Sequence, residues 1–262
     1  MPDAPPKPEF ISSDSASISL TLSRSLDDGG SPITSYKLFV DAGDDFSSDY
    51  AEIGRYDGTS TTFDPNVDED GLVNGKIYRF VLRATNSFGD SAASFELIAG
   101  LGAKPPAPSA PVRDPDYLDS NSIILNWGQV TGSDLPILGY VLMMDDGLKG
   151  YFSIVYDGSD NPQRQDALAR ELISTRTYRF KAYAIDVNGA GVESDITSLV
   201  ACIPPTDISP PVLEAVGKTT LTLAWKTPRS DGGCPITSYA LFRDDGEGSE
   251  INIPVGVEDI AD

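Results

Sequence analysis

The chain has 262 residues with 40% hydrophobic content, enough for two ordinary domains and a fraction, with apolar residues to fill their cores. Nineteen basic residues against 40 acidic ones leave a net charge of −21, which disfavours nucleic-acid backbones and anionic membrane surfaces as partners. Histidine is absent, which excludes serine-histidine and cysteine-histidine catalysis and removes the commonest transition-metal ligand.

The opening MPDAPPKPEF has no basic stretch followed by an apolar core, and no apolar run approaches the roughly 18 residues that a membrane span requires. The expectation is a soluble segment without a secretion signal and without membrane insertion. The first periodic stretch is Ile18, Leu20, Leu22, whose period of two predicts a strand with one buried face. DGGSPITSY (28–36) follows and opens into YKLFVD. DPNVDEDG, from Asp64 to Gly71, sets oxygen ligands at alternate positions. LVNGKIYRFVLRATNSFG from Leu72 is a longer alternating strand closed by a glycine turn.

After KPPAPSAP from Lys104 the pattern restarts. Ile123, Leu125 and Trp127 alternate, SDLPILGY leads into YVLMMDDG, and LISTRTYRFKAYAIDVNG from Leu172 repeats the late strand, with Tyr78 and Tyr178 separated by 100 residues. The only helical signal is a possible turn over Asp166–Glu171. After IPPTDISPP from Ile203 the pattern begins a third time, with Leu221, Leu223, Trp225, then DGGCPITSY (231–239) and YALFRDDG. The phrase of residues 28–36 thus returns with Cys234 in place of Ser31.

An internal repeat of this length, built of short strands with Gly, Pro, Asn and Asp between them, predicts an all-β chain of tandem β-sandwiches. The proline clusters place the boundaries: repeat 1 over 1–103, repeat 2 over 104–203 and the N-terminal half of repeat 3 over 204–262. Pro32, Pro136 and Pro235 stand at matching places in the loops before each second strand, where a fixed φ sets the start of that strand.

A strand tryptophan (Trp127, Trp225), the DGG-x-PI-x-x-Y phrase, L-x-x-G-x-x-Y before a late strand and A-x-N-x-x-G after it together resemble tandem fibronectin type III domains, over essentially the whole chain. The resemblance extends to giant multi-repeat fibronectin type III surface proteins of ciliates and other protists, in which DGGCPI and a partner cysteine recur. It implies immunoglobulin-like sandwiches, two complete and one partial, with Tyr78 and Tyr178 as tyrosine corners. Two departures stand out: Leu22 replaces the usual tryptophan, and Asp186 replaces the asparagine that Asn86 supplies in repeat 1.

Chemistry is sparse. The glycines of GDS and DGG do not join a strand to a helix, so they make no phosphate cradle. An EF-hand reading of DPNVDEDG fails, because Ile77 falls at position twelve when Gly71 is placed at six. A looser calcium site through Asp64, Asp68 and Asp70, or through Asp41, Asp44 and Asp45, stands as the alternative to solvated turns. No other cofactor is indicated, and neither Arg-Gly-Asp nor an N-glycosylation sequon occurs.

Cys202 and Cys234, the chain's two cysteines, flank one boundary. Cys202 ends repeat 2, where ELIAG against SLVAC makes Gly100 its counterpart, and Cys234 lies in the Pro-Ile loop of repeat 3, where Leu135 is its counterpart. Because that loop sits at the end where the chain enters the sandwich, a Cys202–Cys234 disulfide stapling repeats 2 and 3 is predicted. Two buried thiols in a reducing compartment are the alternative. By spacing, the late-strand tyrosine of repeat 3 would fall near 277, beyond Asp262. The expectation is a segment of a longer chain, or completion by strands from a neighbour in a head-to-tail filament. The functional expectation is a non-catalytic structural or adhesive protein, extracellular or at the cell surface, that acts through protein–protein contacts. The alternative is an intracellular cytoskeletal or axonemal scaffold.

Overall fold

Period-two alternation becomes antiparallel pairing in a computed structural model, which describes residues 1–43, 49–248 and 250–259, the last three by backbone alone. Repeat 1 contains β1 (Glu9–Ser13), β2 (Ile18–Thr21), β3 (Ser35–Val40), β4 (Ala51–Glu52), β5 (Thr62–Phe63), the helical turn α1 (Val67–Asp70), β6 (Ile77–Asn86), β7 (Gly89–Asp90) and β8 (Leu97–Gly100). One sheet runs β1-β2-β5. The other runs β4-β3-β6-β7, with β8 also on β6.

Repeat 2 reproduces this with β9 (Val112–Arg113), β10 (Ile123–Asn126), β11 (Gly139–Met144), β12 (Ser153–Asp157), β13 (Asp166–Ala169), β14 (Thr177–Asp186), β15 (Gly189–Ala190) and β16 (Thr197–Val200). Its sheets are β13-β10-β9 and β12-β11-β14-β15, with β16 on β14. Repeat 3 shows two hairpins: β17 (Val212–Val216) with β18 (Leu221–Ala224), and β19 (Ser238–Arg243) with β20 (Ile253–Asp259). The fold is a tandem of fibronectin type III β-sandwiches, two complete and one partial.

Inward residues of the facing sheets make one core per complete repeat. Ile18, Leu20, Leu38 and Phe80 are fully buried in repeat 1, and Ile123, Leu125, Tyr140 and Phe180 in repeat 2. Each such side chain contributes roughly 1.5–3 kcal/mol of apolar transfer. Leu22 fills the place of Trp127 and is just as buried. In repeat 3, Trp225 stands 6.0 Å from Tyr239, as Trp127 stands 6.1 Å from Tyr140, yet both residues of the later pair are half-exposed. Val212, Val216 and Leu221 also face out.

The expected helical turn over Asp166–Glu171 is instead mostly strand. β13 pairs Asp166 to Ala169 against Asn126 to Ile123. Ala-Leu-Ala favours helix locally, but alternation buries Ala167 and Ala169 against the sandwich core, and pairing overrides propensity. Among the described residues a helical turn lies at Val67–Asp70, where Asn66 Oδ1 caps it by accepting from Glu69 N–H at 2.8 Å.

Candidate functional site at the joints between repeats

Two sets of contacts fix the strands that lead to each joint. Tyr78 Oη accepts from Val73 N–H at 2.7 Å, and Tyr178 Oη accepts from Ile173 N–H at 3.0 Å. Beside each tyrosine an arginine holds a buried aspartate from the end of the preceding sheet strand, Arg79 with Asp41 at 2.8 Å and Arg179 with Asp145 at 2.7 Å. Burial works to raise the Asp145 carboxyl, but the Arg179 N–H and guanidinium outweigh it and hold the group below its ordinary range. These contacts anchor β6 and β14, and through them β8 and β16, whose ends carry the joint residues.

At the joint between repeats 1 and 2, the side chain of Leu135 is buried over two glycines. A Cβ built on Gly100 would lie 2.6 Å from Leu135 Cδ1, and one on Gly102 would lie 2.9 Å from Leu135 Cγ, so only glycine admits this approach. Asn188, in the turn between β14 and β15, clamps the same strand end: Gly100 N–H donates to Asn188 Oδ1 at 2.8 Å and Asn188 Nδ2 donates to the Gly100 carbonyl at 2.7 Å. Ala103 N–H donates to Asp134 Oδ2 at 2.9 Å from the Pro-Ile loop. A cavity of ≈ 320 Å³ lies alongside, lined by Phe10, Ser13, Lys104, Asp186 and Asn188 among others.

At the joint between repeats 2 and 3, Cys202 and Cys234 are joined in a disulfide with Cα atoms 5.7 Å apart. Ile203 N–H donates to the Gly232 carbonyl at 2.9 Å, and Thr206 bridges to Ser230. Arg113 Nη1 donates to the Cys202 carbonyl at 2.6 Å, so repeat 2 also holds the linker from its first sheet.

Strand register corrects one assignment made from the sequence. Tyr78 pairs with Ala99 and Tyr178 with Leu199, so Val200 matches Gly100 and Cys202 matches Gly102. The likeness of ELIAG to SLVAC misleads by two residues, a shift that preserves the inward and outward alternation and is therefore invisible to periodicity. The Gly102–Leu135 contact at one joint thus occupies the place of the Cys202–Cys234 bond at the other.

The remaining predicted residues fall elsewhere. Pro32, Pro136 and Pro235 are exposed in their loops, while Trp127 is buried in its core. Among the calcium candidates, Asp70 is ion-paired to Arg55 at 2.7 Å, and Arg55 Nη2 also donates to the Asp64 carbonyl at 2.6 Å, so a guanidinium fills the space between them. Asp41 is taken by Arg79. Asp44 and Asp45 lie outside the described residues. Among the described residues, no group of three or more His, Cys, Asp or Glu is placed to hold a metal ion. No helix there is long and apolar enough to cross a membrane. Sequence reasoning missed Asn188; its one mark is that it stands where repeat 1 has Phe88, a polar exchange in an otherwise matching turn.

No family model matches the chain. It is 30% identical over 228 residues to mouse (Mus musculus) fibronectin type-III domain-containing protein 3A, covering 85% of this chain and 18% of that protein. It is 28% identical over 194 residues to human myomesin-2, covering 70% of the chain and 13% of the relative. With human usherin the identity is 27% over 164 residues, covering 62% and 3%. The chain therefore spans about a fifth or less of the length of these relatives. Against the crystal structure of chicken CNTN1 FN1-FN3 domains, sequence identity is 15% and the TM-score 0.38, over 99% of this chain and 85% of that one.

Proposed function

We propose that this tandem of fibronectin type III repeats is a non-catalytic spacer within a larger extracellular or surface-associated chain of the giant multi-repeat kind, with its joints set to different stiffness. The observation that carries the reading is the Cys202–Cys234 disulfide across a joint. Such bonds persist in oxidising compartments and are rare in reducing ones. A bond at a repeat boundary restrains relative motion of two bodies, which matters for spacing or bearing load and contributes nothing to a reaction. The outward apolar residues of repeat 3, Val212, Val216 and Leu221 among them, support protein–protein contact, including head-to-tail assembly in a fibre.

Non-reducing peptide mapping of native material tests the compartment. A Cys202–Cys234 cross-linked peptide is the expected result. Both thiols recovered free would overturn the extracellular reading in favour of an intracellular scaffold. Electron microscopy of the same material tests assembly, with regular fibres expected and isolated strings counting against it.

A further inference from the structure

With no histidine in the chain, no free side chain has an ordinary pKa near neutrality, so a displaced carboxyl stands out. Asp186 ends β14 and pairs with Gly189, as Asn86 ends β6 and pairs with Gly89. One half of each side chain does the same work: Asn86 Oδ1 accepts from Phe88 N–H at 2.9 Å, and Asp186 Oδ1 accepts from Asn188 N–H at 2.8 Å. The other half differs. Asn86 Nδ2 donates to the carbonyls of Asp28 at 2.7 Å and Ser31 at 3.3 Å, tying the late turn to the Pro-Ile loop. Asp186 puts Oδ2 in that place, on a residue only 3% exposed, and Oδ2 has no partner.

A carboxylate oxygen accepts and cannot donate, and the loop carbonyls that Asn86 binds in repeat 1 also only accept. Ionised, Asp186 therefore has no donor to offer the matching loop of repeat 2. One proton converts it into the donor that Asn86 is permanently.

We propose that Asp186 is a proton-operated latch on the joint between repeats 1 and 2: protonated, its carboxyl donates to the Pro-Ile loop of repeat 2, and ionised it releases that loop. The loop carries Leu135, seated on Gly100 and Gly102, and Asp134, which accepts from Ala103. Asn188, whose N–H is held by Asp186, clamps Gly100. Releasing the loop therefore loosens what repeat 2 grips on repeat 1. Burial raises the Asp186 carboxyl above its ordinary range, against the N–H groups of Asn188 and Gly189, which act in the lowering direction. The charged group that lines the adjoining cavity with it is Lys104 of the linker, while Asp134 of the loop is bonded to Ala103 N–H.

The direction follows from linkage. The folded chain holds this proton more tightly than the unfolded chain, so the stabilisation is complete below the unfolded carboxyl pKa of about 3.9. It is lost as pH rises through the higher folded value. The test compares the intact chain with D186N, which installs the missing donor at every pH, by thermal unfolding and by hydrogen-exchange protection factors of the Gly100 and Ala103 amides. Near neutral pH, D186N is expected to melt several degrees higher and to protect both amides about tenfold better, the effect of one added hydrogen bond. Toward about pH 4 the difference should close. Parallel pH profiles for the two proteins would overturn the latch. K104Q should keep the wild-type profile, and its loss in that variant would replace the proton with an ion pair to Lys104. Calcium that raises the neutral-pH melting temperature of wild type but not of D186N would replace the proton with a metal ion.

Discussion

Leu135 rests on the backbone of Gly102, across a joint, in the position that Cys234 and Cys202 fill with a covalent bond at the next joint. The equivalence makes the bond transferable. The double variant G102C/L135C is expected to form a second disulfide under air oxidation, read as an intact mass lower by two hydrogen atoms and as a cross-link between the peptides that carry the two substituted positions. Free thiols at both new positions would mean that the two joints differ in backbone geometry.

Reduction, or C234S, should free repeat 3 from repeat 2 while leaving both complete sandwiches intact. With a sequence separation of 32 between the cysteines, the loop-closure contribution is about 3–4 kcal/mol. Limited proteolysis should then cut the stretch 203–211 much faster, with the melting transition of repeats 1 and 2 unmoved. Equal cleavage with and without reductant would show that the bond does not restrain the linker.

Arg179 keeps a buried carboxylate charged, so R179M leaves Asp145, 1% exposed at its side chain, without its counter-ion. A loss of about 3–5 kcal/mol in repeat 2 is expected by chemical denaturation. The pH dependence carries its own sign: the folded carboxyl is held below its ordinary range, so its stabilisation is present above the unfolded pKa and lost as pH falls through the folded value. In R179M that acid-side loss should shrink, since the backbone N–H groups of residue 179 and Gly147 still bond the carboxylate.

Removing one hydroxyl isolates the corner bond. Y178F leaves the Ile173 N–H without its acceptor and should cost about 1–2 kcal/mol, with Y78F costing the same in repeat 1 through Val73. A neutral result for both would mean that water takes over the donor.

The sequence carried most of the fold because its signals were redundant. Alternation at Ile18, Leu20 and Leu22 predicted β2, and the same motif twice more predicted β10 and β18. What escaped it was whatever alternation cannot encode. A two-residue shift between β8 and β16 leaves every side chain on its own face, so Gly100 looked like the counterpart of Cys202 although Gly102 is. DALARE reads as helix because its residues favour helix one by one, and only the partner strand Ile123–Asn126 decides otherwise. Asn188 looked like any turn residue, since its importance lies in Gly100, 88 residues away.

That clamp has a further effect on the surface of repeat 1. β8 pairs with β6 along one side, which leaves an edge whose backbone groups point outward. Open edges recruit strands from other molecules, and a string of similar sandwiches keeps such edges at high local concentration. Asn188 takes both the donor and the acceptor of Gly100, so its amide fills the place of a foreign strand at that point. The side chain that couples two neighbours also blunts a site of aggregation between strangers.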